Sequence, residues 1–264
     1  MHPTQQGVAE IIRGWITSGR YQPGDRLPTH QAIADELGTS RQTVVGAIRV
    51  LASEGMVQTG GSQGTWVREQ IMFTTDATAY DNIATRSSNS GDAFVTAVRT
   101  AGRTPETKFE MRIEPASEDI AGYMGASSDD LVCVRSIGQL VDQHPWSRAT
   151  SYYPLNVARE CGLDEPHDIA EGTVRRMASR GFAEAGSVDE ITTRPPTADE
   201  ARELGAPVGT AMLVWTRTAA TDSQITRVTR SLLPGDRNVL RFQQGSQAAT
   251  EAIFAAQRAV VEGK

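Results

Sequence analysis

The sequence is poor in the residues on which several chemistries depend. Only two of its 264 residues are cysteines, Cys133 and Cys161, too few for a disulfide scaffold or a cysteine-rich zinc module. Its four histidines lack the spacing of metal ligands. Lys108 and Lys264 are the only lysines among 26 basic residues, and neither lies in a P-loop. We therefore expect no metal, no cofactor and no catalytic lysine.

Long apolar runs and an excess of basic charge are also missing. No run approaches the ~20 residues that span a bilayer, and residues 1–6 have neither region of a signal peptide. We expect a cytoplasmic protein without a membrane partner. The formal net charge is −6. Residues 1–68 hold six arginines and five acidic residues, so the negative excess lies beyond them and nucleic-acid contact is permitted there.

The first sixty residues predict three helices. The apolar residues with helical spacing are Val8, Ile11, Ile12, Trp15 and Ile16. Thr29 is placed to cap a second helix over 31–37, which ends at Gly38. Ser40 is placed to cap a third helix over 41–54. The short turn at Gly38 is what a helix-turn-helix needs.

A hairpin follows the third helix. Strand-like residues at 56–59 and 65–67 flank a glycine-rich tip at 60–64. This order is that of a winged helix-turn-helix, although an ordinary small α/β subdomain has the same periodicity. The tip also matches the G-x-S-x-G nucleophile elbow, but that motif requires a helix after the turn and the sequence predicts a strand.

These segments closely resemble the DNA-binding domain of bacterial GntR-family transcription regulators. The similarity is carried by Leu27-Pro28-Thr29, Ile33-Ala34, residues 38–44, Ala47-Ile48, Leu51, residues 54–57 and residues 64–67. It implies that the third helix enters the major groove of double-stranded DNA, while the wing approaches the minor groove.

The first turn of the third helix carries the side chains expected nearest the base edges. The planar fork of Arg41 matches O6 and N7 of guanine, which discriminates by ~1–3 kcal/mol. Gln42 suits adenine or a phosphate, Thr43 suits a phosphate, and Arg49 is either a phosphate contact or a solvated arginine. The predicted DNA-binding residues are Thr29, Gln31, Ser40, Arg41, Gln42, Thr43, Arg49, Gly61, Ser62 and Gln63.

Two positions depart from the family pattern. His30-Gln31 stands where Glu-Arg is usual, and Val45-Gly46 stands where an arginine is common in the third helix. Fewer cations predict a shallower salt dependence of DNA binding. Gly46 also costs ~1 kcal/mol against alanine, unless DNA or another helix approaches it closely.

Beyond residue 90 the sequence mixes strands joined by hairpins with short helices. Strands are predicted at 107–113, 131–141, 146–153, 188–193, 212–218 and 225–233. Helices are predicted at 92–101, 117–124, 174–179, 198–204 and 247–261. This order predicts an α+β fold on an antiparallel sheet. Residues 72–88 have no clear periodicity and predict a linker or a loosely packed arm.

Residues 90–242 resemble the UTRA ligand-binding domain of the HutC branch of the GntR family, whose fold is like that of chorismate lyase. The similarity is carried by residues 101–105, Asp142, Pro145, residues 150–154, 196–205 and 233–237. It implies a homodimeric repressor whose DNA affinity falls when a small metabolite binds. The domains are then a winged helix-turn-helix at 1–69, a linker at 70–89, a UTRA effector-binding domain at 90–243 and a C-terminal helix or tail at 244–264.

Few of the residues that bind the effector in other members of the family stand at the matching positions of this chain. Sugar-phosphate-binding members hold phosphate with an Arg-x-Arg pair, where this chain has residues 137–139 as Ile-Gly-Gln. The matching positions leave Gln139, Ser151, Thr173, Arg175 and Arg227 as predicted effector-binding residues. The two arginines suit a small, anionic, partly apolar effector. They equally suit ordinary pairing with acidic residues.

Three functions follow from these patterns. The first is a sequence-specific regulator, most simply a repressor on a palindromic operator. The second is a chorismate-lyase-like enzyme, which needs positioned acid and base groups. The matching pocket positions are mainly Ile, Gln, Ala, Thr and Leu, so we predict no catalytic residues and no enzyme. The third is a winged helix that serves as a protein-interaction module.

Overall fold

The computed structural model describes residues 3–60, 64–68, 71–78, 90–207 and 209–262. It begins with three helices, which are α1 (Gln5–Thr17), α2 (His30–Leu37) and α3 (Arg41–Ser53). An antiparallel hairpin of β1 (Val57–Thr59) and β2 (Thr65–Val67) follows. The winged helix-turn-helix predicted from the sequence is therefore confirmed.

Side-chain caps begin the three helices. Thr4, Thr29 and Ser40 each accept a hydrogen bond from the backbone N–H three residues further on. Such caps stabilise a helix by ~1 kcal/mol. Gly38 ends α2 with a φ of 61°, a left-handed conformation that glycine adopts without a Cβ clash. Together the Gly38 stop and the Ser40 cap produce the short turn between α2 and α3.

The core of this domain lies between the three helices and the hairpin. Its larger members are Val8, Ile12, Ile33, Val44, Ile48, Leu51, Val57 and Val67. At its edge Arg13 of α1 pairs with Glu54, the C-cap residue directly after α3, at 2.6 Å. The apolar stripe of α3 is thus buried, and its polar side faces outward.

Gly46 lies where α1 approaches α3. A Cβ built on Gly46 would stand 2.5 Å from Cδ of Gln5, the first residue of α1. A neighbouring helix therefore occupies the space that a side chain would need. The atoms in question belong to the far end of a flexible side chain, which is able to swing away.

The C-terminal part is built on a six-stranded sheet. Before it come β3 (Phe73–Asp76) and α4 (Ser90–Thr100). The sheet strands are β4 (Pro105–Pro115), β5 (Leu131–Val141), β6 (His144–Pro154), β7 (Gly186–Arg194), β8 (Met212–Ala220) and β9 (Ile225–Pro234). Their order is β4-β5-β6-β9-β8-β7, and every neighbouring pair is antiparallel. The α+β class with an antiparallel sheet is confirmed.

Helices lie on both sides of this sheet. On one side α5 (Glu118–Met124) packs against Val134 and Val228. On the other, α6 (Leu155–Cys161) and α7 (Thr173–Ser179) pack around Cys133 and Tyr153. We call the side that carries Tyr153 the front face. The chain then runs through α8 (Ala198–Glu203) before β8, and through β10 (Asn238–Arg241) and α9 (Gln247–Glu262) after β9.

Three elements have no counterpart in the sequence predictions, namely β3, α6 and β10. β3 and β10 pair in parallel, with Phe73 opposite Asn238. The linker prediction is therefore wrong for β3, which is bound to the strand that follows β9. Ser117 directly precedes α5, but its hydroxyl donates to the carboxylate of Asp119 at 2.6 Å and makes no cap bond.

Replacing Gly46 with alanine should stabilise the protein by up to ~1 kcal/mol. The gain comes from helix propensity, because only the end of the Gln5 side chain has to move. Thermal unfolding measures it. Gly14→Ala is the matched control, since Gly14 also lies inside a helix and a Cβ there would meet nothing within 4 Å. A Gly46→Ala protein less stable than wild type would contradict this expectation.

Candidate DNA interface and effector site

Exposed polar side chains gather at the start of α3. Arg41 and Gln42 are exposed there, and Thr43 is half-buried. The Ser40 hydroxyl accepts a hydrogen bond from the Thr43 N–H at 3.1 Å and lies 2.8 Å from the Thr43 hydroxyl. Within the described part of the chain, neither Arg41 nor Gln42 has a side-chain partner. Both are thus available to an external ligand, on a helix start that the cap holds in place.

The other predicted DNA-binding residues are more dispersed. Thr29 caps α2, and the amide of Gln31 donates to the carboxylate of Asp35 at 2.8 Å. Arg49 is exposed two turns beyond Arg41 on α3. The predicted wing residues Gly61, Ser62 and Gln63 lie outside the described residues.

Sequence reasoning missed Arg26, an exposed cation beside the hairpin. A backbone bridge joins Arg26 to Trp66, and its guanidinium carbon lies 5.9 Å from the centre of the Trp66 ring. A Cβ on Gly64 would stand 2.8 Å from Nε of Arg26. The positive charge therefore lies at the base of the wing. No short-range pattern signals this, because the contact joins residues distant in sequence.

A polar row crosses the front face of the sheet. The strand register places Arg135, Ser151, Thr229, Arg217 and Asp189 side by side on five neighbouring strands. At its centre the hydroxyls of Ser151 and Thr229 lie 2.9 Å apart, and both residues are only half-buried. These two hydroxyls are able to donate to, or accept from, a bound molecule.

The next row along the front face is mainly apolar. It consists of Ile137, Ala149, Ser231 and Trp215, which are neighbours on successive strands. Trp215 is buried, and the other three are half-buried. Phe242 meets the Trp215 ring edge-on, with the ring centres 6.5 Å apart. An apolar row beside a hydroxyl pair is the combination typical of a small-molecule site.

Arg135 is engaged by backbone oxygens. Its guanidinium donates to the carbonyls of Leu163, Glu165 and His167 at 2.7, 3.1 and 2.7 Å. The aromatic ring of Phe109 lies 4.5 Å away. The arginine therefore holds the loop between α6 and α7 onto the sheet.

Arg217 is engaged by a carboxylate. It donates to both oxygens of Asp189, at 2.8 and 2.5 Å, and the indole N–H of Trp215 donates to the same group at 2.6 Å. Burial acts to raise the pKa of Asp189, but the hydrogen bonds from Arg217 and Trp215 outweigh it and hold the pKa below its ordinary value. Asp189 therefore stays ionised and bound at neutral pH.

Arg227 also lies beside a carboxylate, as an ion pair. It pairs with Glu184 at 2.7 Å, and the two side chains are only 7% and 5% exposed. Arg227 was expected either to hold an anionic effector or to pair with an acid, and the structure pairs it with an acid. Arg175, the other arginine that the sequence predicted to bind the effector, is exposed on α7.

The five predicted effector residues do not form one small-molecule site. The Thr173 hydroxyl accepts a hydrogen bond from Tyr153 at 3.0 Å, while the amide of Gln139 accepts one from Ser147 at 2.6 Å. Ser147 and Tyr153 lie six residues apart on β6, a separation of about 20 Å along a strand. The register brings Ser151, Thr173 and Arg227 to one part of the front face and leaves Gln139 at the far end.

Two other kinds of site are absent from the described residues. No group of three or more His, Cys, Asp or Glu side chains is arranged there to hold a metal ion. No described helix has the length and apolar character needed to cross a bilayer. Cys133 is buried, and burial raises the pKa of its thiol to about 11.

Comparison with known proteins identifies the family. Residues 4–67 match the model of bacterial regulatory proteins of the gntR family, and residues 100–238 match the UTRA domain. The chain therefore belongs to the GntR family of bacterial regulatory proteins and carries a UTRA domain. The resemblance in the sequence is confirmed, and the protein is a transcriptional regulator.

Individual relatives align with this chain over most of their length. The chain is 28% identical to the transcriptional repressor PhnF of Mycolicibacterium smegmatis over 87% of this chain and 88% of that protein. It is 23% identical to the transcriptional repressor NagR of Bacillus subtilis over 82% and 84% of the two chains. The crystal structure of PhnF from Mycobacterium smegmatis superposes with a TM-score of 0.51 at 24% identity, covering 91% and 99% of the two chains. That superposition supports the fold.

Removing the partner of Arg227 should strongly destabilise the protein. Glu184→Ala leaves a buried guanidinium without its carboxylate, which costs ~3–5 kcal/mol. Urea unfolding measures this loss. Glu203→Ala is the control, because its pair with Arg148 is much more exposed (32% and 47%) and is expected to contribute little. Equal effects of the two substitutions would refute a stabilising role for the buried pair.

Proposed function

We propose that this regulator is a repressor that binds a palindromic operator as a homodimer, with the first turn of α3 in the major groove. The observation that carries this is the exposed, uncommitted pair Arg41 and Gln42 on a capped helix start. Arg41 reads guanine through its fork, and Gln42 reads adenine or a phosphate. The relatives PhnF and NagR are both named repressors. Two copies related by a two-fold axis would meet half-sites about one helical turn apart.

The remaining interface residues take positioning roles in this proposal. Thr29, Gln31, Ser40 and Thr43 lie at two helix starts, where backbone N–H groups favour a phosphate. Arg49 adds a phosphate contact further along α3. Gly61, Ser62 and Gln63 approach the minor groove, and Arg26 adds a cation at the base of the wing.

We further propose that a small molecule binds the front face and changes operator affinity. Its contacts are the Ser151 and Thr229 hydroxyls and the apolar row that begins at Ile137. Arg217 and Arg227 are already paired with carboxylates, so an anionic group would have to displace Asp189 or Glu184. The geometry therefore favours an effector that is uncharged where it meets the sheet, in place of the anionic effector suggested by the sequence.

Catalysis has less support than binding. Two acidic groups of the front face, Asp189 and Glu184, are each paired with an arginine. A general acid or base needs a pKa near the working pH, and the pKa of Asp189 is lowered. We therefore propose a non-enzymatic regulator of the HutC branch that acts in the cytoplasm.

Alanine at Arg41 should abolish sequence discrimination. Duplexes selected by the wild-type protein from a randomised pool provide the operator, and fluorescence anisotropy gives its Kd. Arg41→Ala should weaken binding ~10-fold or more and relax selectivity at one base pair of each half-site. Arg49→Ala should instead weaken binding to all sequences alike and lower the salt slope by about 1.

The same experiment tests the alternative functions. Arg99→Ala, an exposed arginine on α4 away from the proposed interface, is the control and should bind as wild type does. If Arg41→Ala retains full affinity and selectivity, α3 does not read DNA in the proposed way. Failure of the wild type to enrich any duplex would favour a protein-interaction module.

Effector contact at the hydroxyl pair has its own test. Neutral and anionic compounds are screened for release of the selected operator, and the dose response of each active compound is repeated on Thr229→Val. Loss of a hydrogen bond should raise the half-maximal concentration about 2- to 10-fold. Thr192→Val, on the exposed edge strand β7, should leave it unchanged. Equal responses of all three proteins would place the effector elsewhere.

A further inference from the structure

The C-terminal end of α3 touches the effector domain. Ser53 is the last residue of that helix, and its carbonyl oxygen meets Gly209 in the loop before β8. A Cβ on Gly209 would stand 2.6 Å from that oxygen, and the φ of Gly209 is +89°. A residue with a side chain would both clash there and strain the backbone. The two domains therefore come this close only because the residue is glycine.

An ion pair lies beside this contact. Arg68, directly after β2, pairs with Asp236 in the turn between β9 and β10, and both side chains are 14% exposed. The Arg68 N–H donates to the carbonyl of Met56 at 2.9 Å, and its Nη1 would lie 3.6 Å from a Cβ on Gly55. Arg68 is thus held against the end of α3, where the helix dipole favours a cation. A pair this sheltered is screened by salt less than a surface pair.

Asp236 is held from the other side by its own domain. Nε of Arg237 donates to its carboxylate at 3.1 Å. Arg237 is only 8% exposed and donates to the carbonyls of Pro145 and Gly205 at 3.0 and 3.3 Å. The turn that receives Arg68 is therefore firmly attached to the sheet.

The two contacts belong to one surface. The N–H of Gly235, in the Asp236 turn, donates to the carbonyl of Ala211 at 2.8 Å, and Ala211 lies two residues after Gly209. The first of these loops leads into β8, and the second follows β9. The same strands carry Trp215 and Thr229, which line the proposed effector site.

We propose that the Arg68–Asp236 pair and the Ser53–Gly209 contact form a joint that positions α3 for DNA and transmits the state of β8 and β9 to it. Arg68, Asp236 and Gly209 are positioning residues in this proposal and touch no base. The link to an effector rests on the proposed function. The existence of the joint, and its effect on α3, do not depend on it.

The test measures the distance between the two domains in the full-length protein. Spin labels are placed at Ser18→Cys, at the end of α1, and at Ser223→Cys, between β8 and β9; both sites are exposed. The native cysteines are buried and should not react. Labelled protein is diluted with unlabelled protein so that distances within one subunit dominate. Arg68→Gln, Asp236→Asn and Gly209→Ala should each broaden the narrow wild-type distribution.

Matched variants separate the joint from general damage. Arg68→Lys keeps the charge and should keep the narrow distribution. Gly181 has the same φ of +89° as Gly209, but a Cβ there would meet nothing within 4 Å. Gly181→Ala should therefore also keep the narrow distance distribution. Asp236→Asn retains an oxygen that accepts from Arg237. A wild-type distribution in both Asp236→Asn and Gly209→Ala would overturn the proposal.

DNA affinity gives the second readout. Asp236→Asn and Gly209→Ala should each weaken binding to the selected operator at least ~5-fold. Loss of an acidic charge would by electrostatics alone tighten DNA binding, so weakening by Asp236→Asn points to the joint. Broadening without any change in affinity would overturn the positioning of α3. If the wild type selects no DNA, the proposed function fails, while the distance measurement still decides whether the joint exists.

Discussion

The pairing of β8 with β9 is the interaction on which the rest of the structure depends. Its register sets Arg217 opposite Thr229 and Trp215 opposite Ser231, which builds the centre of the front face. The same register brings the loop before β8 and the turn after β9 to one edge, where they contact the winged helix. A one-residue slip would turn each of these side chains to the opposite face of the sheet. The proposed ligand contacts and the domain contact are thus consequences of one strand pairing.

The buried arginines of this chain make contacts for which a guanidinium is better suited than the ammonium of lysine. Arg135 donates to three backbone carbonyls, and Arg217 donates to a carboxylate through two nitrogens. Arg237 donates to the carbonyls of Pro145 in β6 and Gly205 after α8. A guanidinium fork has five donors in a plane and serves several acceptors, whereas an ammonium is a compact and strongly hydrated charge. Buried arginines therefore act here as structural connectors. Exposed Arg41, in contrast, has no side-chain partner within the described part of the chain.

Local patterns predicted most of the fold, because most elements begin and end at residues with local effects. The caps at Thr29 and Ser40 and the stop at Gly38 placed α2 and α3 within a residue of their observed bounds, and the strand over 131–141 coincides with β5. The parallel pair of β3 with β10 escaped prediction because two four-residue strands, remote in sequence, have no periodicity of their own. For the same reason the sequence identified Arg227 but not its partner Glu184. Gln139 was grouped with Thr173 because positions matched to a family pattern carry no distances.

The two ends of α3 have different tasks in the proposed mechanism, and one continuous helix connects them. Arg41 begins the helix and Ser53 ends it, so its 13 residues separate the proposed base contacts from the effector domain by about 20 Å. A tilt of about 5° at the Ser53 end moves the Arg41 end by ~2 Å over that length. Hydrogen bonds to bases have lengths confined to ~2.7–3.2 Å, so such a displacement breaks them. In the proposed mechanism, a small change in strands β8 and β9 would therefore be sufficient to switch base recognition, since the helix converts a slight rotation at one end into a lost contact at the other.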